Sequence, residues 1–334
     1  MLTWLTLAAT LVIILIAAEV FTNALEHLGE RLGISEGVTG SLFAAVGTAL
    51  PETSVPLLAI FAGTSNQQVN EEIGVGAILG APLMLATLSL FLMTLFAWRK
   101  RGLHGSYRPE KNGLKRDLNF FLIAFTVATL ALYVPHSYPT ARGALGLGLV
   151  LLYFVYIMMT LRASAALVEQ GHGTEAHEKM WLAKIGLPEN MLVIVLQMAL
   201  GLGLLILGAR GFIHGVEAAA DMLGISVLLL SLLIIPVATE LPEKVNSILW
   251  IRKGKDTLAF GNITGAMVFQ GTLLPALGIM LTPWDARPEV LAGIVITLIA
   301  AVWLRVMLTY GRLRVSHLLL NGGLYVLYLA IVLN

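Results

Sequence analysis

The chain has 334 residues, 57% hydrophobic and only 12% charged, against roughly 25% charged in soluble domains. A mean hydropathy of +0.85, a net charge of +1 and the lack of any cysteine exclude a water-soluble enzyme, a disordered chain and a nucleic-acid binder. They also exclude disulfide, thiolate-metal and iron–sulfur chemistry. An all-α polytopic membrane protein remains.

Apolar runs long enough to cross a bilayer recur along the chain. The first, 2–23, has no basic leader and no small-residue cleavage site, so it reads as a transmembrane helix rather than a removable signal peptide. Nine more are predicted near 37–62, 73–97, 118–134, 143–161, 191–213, 226–251, 258–282, 288–308 and 317–333. Glu71 and Glu72 open the third helix, where they suit its positive dipole end or draw cations to an entrance. The basic run 99–116 fixes topology and touches anionic lipid. HGTEAHE, ending at Glu178 and containing His172, Glu175 and His177, reads by default as part of a long, flexible, charged cytoplasmic loop, with a regulatory metal site as the alternative. Trp4, Trp98, Trp250, Trp284 and Trp303 fall near helix ends, as interfacial anchors do. With ten helices, the loops on one face carry sixteen Lys and Arg, and those on the other carry three. Basic loops stay cytoplasmic. The expected location is therefore a prokaryotic inner (plasma) membrane, crossed many times, with both termini outside.

The chain contains an internal repeat. Residues 16–35 and 207–226 align at a constant offset of 191, matching Ala18 with Ala209, Phe21 with Phe212, Glu26 with Glu217, and LGIS with LGIS. The register continues from VGTALPE (46–52) to VATELPE (237–243), and after a six-residue deletion GAILGA (76–81) meets GNITGA (261–266). Helix one runs inward and helix six outward, so the halves are inverted five-helix copies. They comprise 1–161 and 191–334, joined by a cytoplasmic linker, 162–190. Inverted repeats are a sequence mark of secondary transporters that bind their cargo at the midplane.

Glu52 and Glu243 sit inside apolar spans at equivalent places. A carboxylate there costs about 2.5–3.5 kcal/mol on insertion scales, so it marks a function by default. Thr48 and Thr239 precede them by four residues, on the same helix face. Pro51 and Pro242 deny a helical partner to the carbonyls of Gly47 and Ala238. Bare carbonyls are tolerated at membrane depth where they line a cavity. Carboxylate, hydroxyl and carbonyl oxygens form a hard-oxygen site that suits Ca2+ better than Mg2+. The alternatives are that the two acids merely brace helices and that the threonines bond to their own backbone. In the third helix of each half the glycines permit close packing, and Asn262 and Gln270 are further candidate ligands. Glu240 and Lys244 stand four residues apart. They either neutralise one another, or Glu240 adds a third carboxylate, so that at least one pKa rises and proton binding competes with metal binding, or Lys244 instead acts as a tethered cation where a sodium ion would otherwise sit. Glu19 and Arg210 match by offset as an opposite-sign pair that would fix two helices. Glu26, Glu36, Glu217 and Asp221 lie near helix ends and read as solvated.

GTALPE and ATELPE, each followed by G-x-x-x-G-A and preceded by LGIS, resemble the two alpha repeats of the sodium/calcium exchanger family within the calcium/cation antiporter superfamily. The alpha motifs span 46–85 and 237–272. The resemblance implies ten helices, alternating access, Glu52 and Glu243 as central divalent-cation ligands, and Thr48 and Thr239 beside them. It departs from the family's pattern at Ala49 and Glu240, where serine is common. It departs again at Ala81-Pro82 and Ala266-Met267, where Ser-Asn is common, and at Leu85 and Gln270. Fewer side-chain oxygens then remain for Na+, so a proton, or Mg2+ or Mn2+ in place of Ca2+, is an alternative. The expected metal ligands are Glu52, Glu243, Thr48, Thr239, Glu240, Gln270, Gly47 and Ala238. The expected partners are membrane lipid and inorganic cations, with no resident cofactor and no nucleic acid, and with a homo-oligomer compatible but not required. A membrane-embedded enzyme is the rival class, but G-x-S-x-G, H-E-x-x-H and Asp-rich motifs are all absent. A passive channel is the other rival.

Overall fold

A computed structural model describes residues 2–32, 50–168, 178–311 and 313–333. Described in this way, the chain is all-helical. In order it forms α1 (Leu2–Arg31), α2 (Leu50–Ala62), α3 (Gln67–Met84), a π-helical turn (Leu85–Ser89) and α4 (Leu90–Arg101). Then come α5 (Lys111–Ala131), α6 (Pro139–Val168), the short α7 (Trp181–Lys184), α8 (Met191–Leu223), α9 (Val227–Thr239), α10 (Leu241–Arg252) and α11 (Asp256–Leu281). The chain ends with α12 (Pro288–Tyr310), a 3-10 turn (Val315–Leu318) and α13 (Leu319–Val332). Among the described residues, seven helical stretches are long and apolar enough to cross a membrane, and α2 and α9 contain shorter apolar runs. This is a multi-pass integral membrane protein.

Local chemistry sets where the helices begin and end. Asn66 caps α3 by accepting from the backbone N–H groups of Gln68 and Val69, at 3.1 and 3.3 Å. Glu110 caps α5, accepting from Asn112 at 2.7 Å and Gly113 at 2.5 Å. Asn190 caps α8 through Val193, at 3.0 Å. These side chains satisfy amide groups that a helix start leaves without a partner. Gly224, at φ +66°, ends α8 in a left-handed conformation that a glycine adopts without a steric penalty.

Two helices form the interior. The α3–α4 run and α11 are mostly buried, whereas α1, α6 and α8 present large apolar side chains outward, as lipid-facing helices do. α1 and α8 pack antiparallel along their lengths: Gly201 meets Ala17 and Phe21, Gly208 meets Ile14, and Gly215 meets Leu7. Glycines let the two backbones approach closely where no hydrophobic effect drives helices together. α3 and α9 run parallel, with Gly76 against Leu228 and Ser231, and Gly80 against Leu232 and Pro236. Pro82, inside α3, precedes the π-helical turn, and the Ala86 carbonyl within that turn accepts from Asn321 Nδ2 of α13 at 2.7 Å.

Two expectations are corrected. Glu19 and Arg210 are both exposed and no ion pair joins them. Antiparallel packing explains this: residues level with Arg210 lie around Thr10 and Ile14, more than a turn from Glu19. Trp284 is not an interfacial anchor. It is 1% exposed, its indole covers Gly278, and its Nε1 donates to the Ala128 carbonyl at 3.0 Å. Trp4 and Trp98, by contrast, are exposed at the surface.

Candidate cation site

The α9–α10 run leaves helical geometry at Glu240 (φ −87°, ψ 9°), one residue before Leu241-Pro242-Glu243. Pro242 has no N–H to offer the Ala238 carbonyl in the last turn of α9. The interruption therefore leaves a backbone carbonyl without a helical partner in the same stretch as two acidic side chains, Glu240 and Glu243. Glu52, in the first turn of α2, is 1% exposed, Glu240 and Glu243 are 0%, and Lys244 is 4%. α2 packs against α9, and Glu52 lies near enough to Glu243, Glu240 and Lys244 for their charges to influence it. Among the described residues, neither Glu52 carboxylate oxygen accepts a hydrogen bond from a neighbouring residue. Such an acid has been taken from water with no donor beyond its own backbone, an expensive state that a bound cation relieves.

The neighbours of these acids are defined. Lys244 Nζ lies 3.2 Å from Glu240 Oε2 and donates to the Pro236 carbonyl at 3.1 Å. Gln270 of α11 is fully buried near Glu240, and among the described residues neither of its amide atoms has a hydrogen-bond partner. Thr239 Oγ1 donates to the Ile235 carbonyl at 3.0 Å, which leaves its lone pairs available to a cation. Asn262 Nδ2 donates to the Glu243 carbonyl at 3.2 Å and to Ser247 Oγ at 3.0 Å, and so ties α11 to α10. Gly47 and Thr48 lie outside the described residues, as do Glu36, His172, Glu175 and His177. Tyr325 of α13 lies close enough to Glu240 for their charges to interact, a neighbour that no spacing in the sequence points to.

Other charges are engaged elsewhere. Glu72 pairs with Arg287 at 2.9 Å and accepts from the Leu228 N–H at 3.3 Å, so it ties α3 to α9 and α12 rather than standing free at an entrance. Arg101 forks onto Asp256, at 2.6 and 2.8 Å, and joins α4 to α11. Asp117 accepts from Thr264 Oγ1 at 2.8 Å and from the Tyr156 hydroxyl at 3.1 Å, a buried polar network linking α5, α6 and α11 that sequence reading missed. Among the described residues, no three His, Asp or Glu side chains converge as a ready-made metal cage. A cation placed between α2 and the α9–α10 junction would need carbonyl, hydroxyl or amide oxygens beside carboxylates, the kind of mixed oxygen shell that suits hard divalent ions.

A family model described as sodium/calcium exchanger protein matches residues 2–162 and 193–334. The chain is 26% identical over 278 residues to the inner membrane protein YrbG of Escherichia coli strain K12, covering 83% of this chain and 79% of that protein. Its backbone resembles the crystal structure of the H+/Ca2+ exchanger CAX, with a TM-score of 0.75 at 17% identity, covering 99% of this chain and 82% of that one. It also resembles the sodium–calcium exchanger NCX_Mj, with a TM-score of 0.63 at 18% identity, covering 99% of both chains. The match to the family runs through both halves and leaves out only the segment between them and the first residue: this chain belongs to the sodium/calcium exchanger protein family.

Proposed function

We propose that this protein is a secondary active antiporter that exchanges Ca2+ for Na+ or H+ by alternating access. Glu52 and Glu243 serve as the central ligands of the divalent ion. Thr48, Thr239, Glu240, Gln270 and the carbonyls of Gly47 and Ala238 complete its oxygen shell. The two halves act as inverted five-helix repeats in a ten-helix fold, with both termini outside the membrane. One observation carries the reading: three acids from two separate helical runs, each no more than 1% exposed, are buried in an apolar protein, near enough for their charges to influence one another. Like charges buried together are costly unless a cation is their partner. The exchanger family and the antiporter folds that this chain resembles support the same reading. In the cycle, entering monovalent ions displace the divalent ion from the shared carboxylates, and the site then opens to the other face.

The test is uptake of radioactive Ca2+ into proteoliposomes under separately imposed Na+ and pH gradients. Wild type accumulates Ca2+ against its gradient, and the driving gradient names the coupling ion. Glu52→Gln and Glu243→Gln each lower uptake by at least about tenfold, equivalent to 1.4 kcal/mol. Gradient-driven uptake that persists in both variants would remove these acids from the site. Current carried without a counterion would make the protein a channel. Substituting Mg2+ and Mn2+ in the same assay ranks the divalent ions.

A further inference from the structure

We propose that the Lys244 ammonium is a built-in monovalent cation of the transport site, so that the site exchanges one divalent ion for two monovalent ions without moving net charge. The inference rests on the antiporter reading and deepens it.

The geometry comes first. Lys244 is 4% exposed, and its Nζ has two oxygen neighbours: Glu240 Oε2 at 3.2 Å and the Pro236 carbonyl at 3.1 Å. A carboxylate and a backbone carbonyl at a broken membrane helix are the donors that a small monovalent cation takes in transporters. Here a covalently tethered ammonium has them. Both contacts lie in its own helical run, and its charge reaches Glu52 on a different helix as well, as the smallest of the influences on that acid.

Charge counting follows. When ionised, Glu52, Glu240 and Glu243 supply three negative charges and Lys244 one positive, leaving two net negative charges. A single divalent ion, or two monovalent ions, brings this to zero. A neutral loaded site avoids the large cost of holding net charge in a low-dielectric interior, so both loaded forms can switch between faces. Without the ammonium, three monovalent ions would be needed for neutrality and each cycle would carry a charge. The device belongs to one half alone: at the offset of 191, Ala49 and Thr53 stand where the second half has Glu240 and Lys244.

The experiment sets membrane potential independently, with a K+ gradient and valinomycin, in proteoliposomes taking up radioactive Ca2+. For the wild type, the steady accumulation ratio is expected to be unchanged between zero and an inside-negative potential. Lys244→Met leaves three net negative charges. Its ratio is expected to shift up to about tenfold for each roughly 60 mV imposed, with a steeper dependence on the driving monovalent ion. Glu240→Gln combined with Lys244→Met restores two net charges, and voltage insensitivity should return with them. A voltage-sensitive wild type overturns the inference while leaving the antiporter reading intact. So does a Lys244→Met protein that transports with unchanged steepness and no voltage response, or a voltage-sensitive double variant. If neither variant transports, the wild-type response alone decides. If no gradient drives uptake in the wild type, the antiporter reading itself fails.

Discussion

Gly80 of α3 lies so close to Pro236 of α9 that a methyl group at its Cα would come within 2.6 Å of the proline ring. The same methyl group would also clash with the Leu232 carbonyl. Pro236 matters beyond packing, because its carbonyl accepts from Lys244 Nζ. Space at Gly80 therefore connects to the position of the charged site. Gly80→Ala is expected to destabilise the protein by roughly 1–3 kcal/mol, as overpacking of a tight contact does, and to reduce Ca2+ uptake as well. Gly148 of α6 has no atom within 4 Å of where a methyl group would sit. Gly148→Ala is the control, expected to leave stability equal or higher by about 0.5–1 kcal/mol. Thermal unfolding in detergent checks both, and equal melting temperatures for the two variants would contradict the argument.

The all-helical membrane class and the family were legible because both rest on composition and on short ungapped motifs. Apolar runs announce spans whatever they pack against, and the LPE acids stand out because a carboxylate in such a run is rare. What could not be read were partners decided by depth and direction. Glu19 and Arg210 match by offset, yet antiparallel packing separates their levels. Trp284 lies at a helix end, where tryptophans commonly meet lipid headgroups, but its left-handed backbone (φ 53°) accompanies an indole turned inward over Gly278. Asp117 carries no motif, and its partners Tyr156 and Thr264 lie 39 and 147 residues away. Around Glu240, the Lys244 contact was open to sequence spacing. The Pro236 carbonyl and Tyr325 were not, because helix geometry four residues ahead says nothing about an interrupted turn or about α13.

Thr239 separates a structural hydroxyl from a ligand. Its Oγ1 bonds back to the Ile235 carbonyl at 3.0 Å, a contact within its own helix that contributes little to stability. Thr239→Val keeps the shape and removes the oxygen. If the hydroxyl contributes a lone pair to the cation, the Ca2+ concentration for half-maximal uptake should rise several-fold while the melting temperature moves little, and Thr239→Ser should restore the wild-type value. An unchanged uptake curve in Thr239→Val would leave the hydroxyl as a backbone partner alone.

Asp256 joins the ends of two helices that enclose the interior. It accepts two hydrogen bonds from the Arg101 guanidinium, at 2.6 and 2.8 Å, and one from the Arg108 N–H at 2.7 Å. The carboxylate is 5% exposed at its side chain, whereas Arg101 is 19% exposed, so water compensates part of any loss. Asp256→Ala should therefore destabilise by the lower end of the roughly 3–5 kcal/mol found for a broken buried pair. Asp256→Asn keeps one acceptor and should fall between the two. Denaturation in a detergent series orders the three proteins, and an alanine variant as stable as wild type would show that the fork contributes nothing net.

Arg142, near the start of α6, holds the far end of α11. It donates through Nε and Nη2 to the Ile279 carbonyl at 3.0 and 2.6 Å, through Nη2 to Thr282 at 2.6 Å, and through Nη1 to Pro283 at 3.0 Å. These carbonyls belong to the last turn of α11 and the residues just beyond it, where the helix has no further N–H groups to offer and its dipole favours a cation. Arg142 is 4% exposed, so water cannot take over these carbonyls when the side chain is shortened. Lysine brings the charge but not the planar fork that reaches three acceptors at once. Arg142→Lys is accordingly expected to retain only part of the stabilisation, and Arg142→Met to lose about 1.5–3 kcal/mol or more. Because α11 also carries Gln270 and Asn262 toward the buried acids, the methionine variant should raise the Ca2+ requirement for uptake as well as lower the melting temperature. Amide hydrogen exchange gives the direct reading. Protection should fall first over 276–282 in Arg142→Met, and a loss spread evenly along α11 instead would mean that Arg142 acts through the bundle rather than as a cap for this helix end.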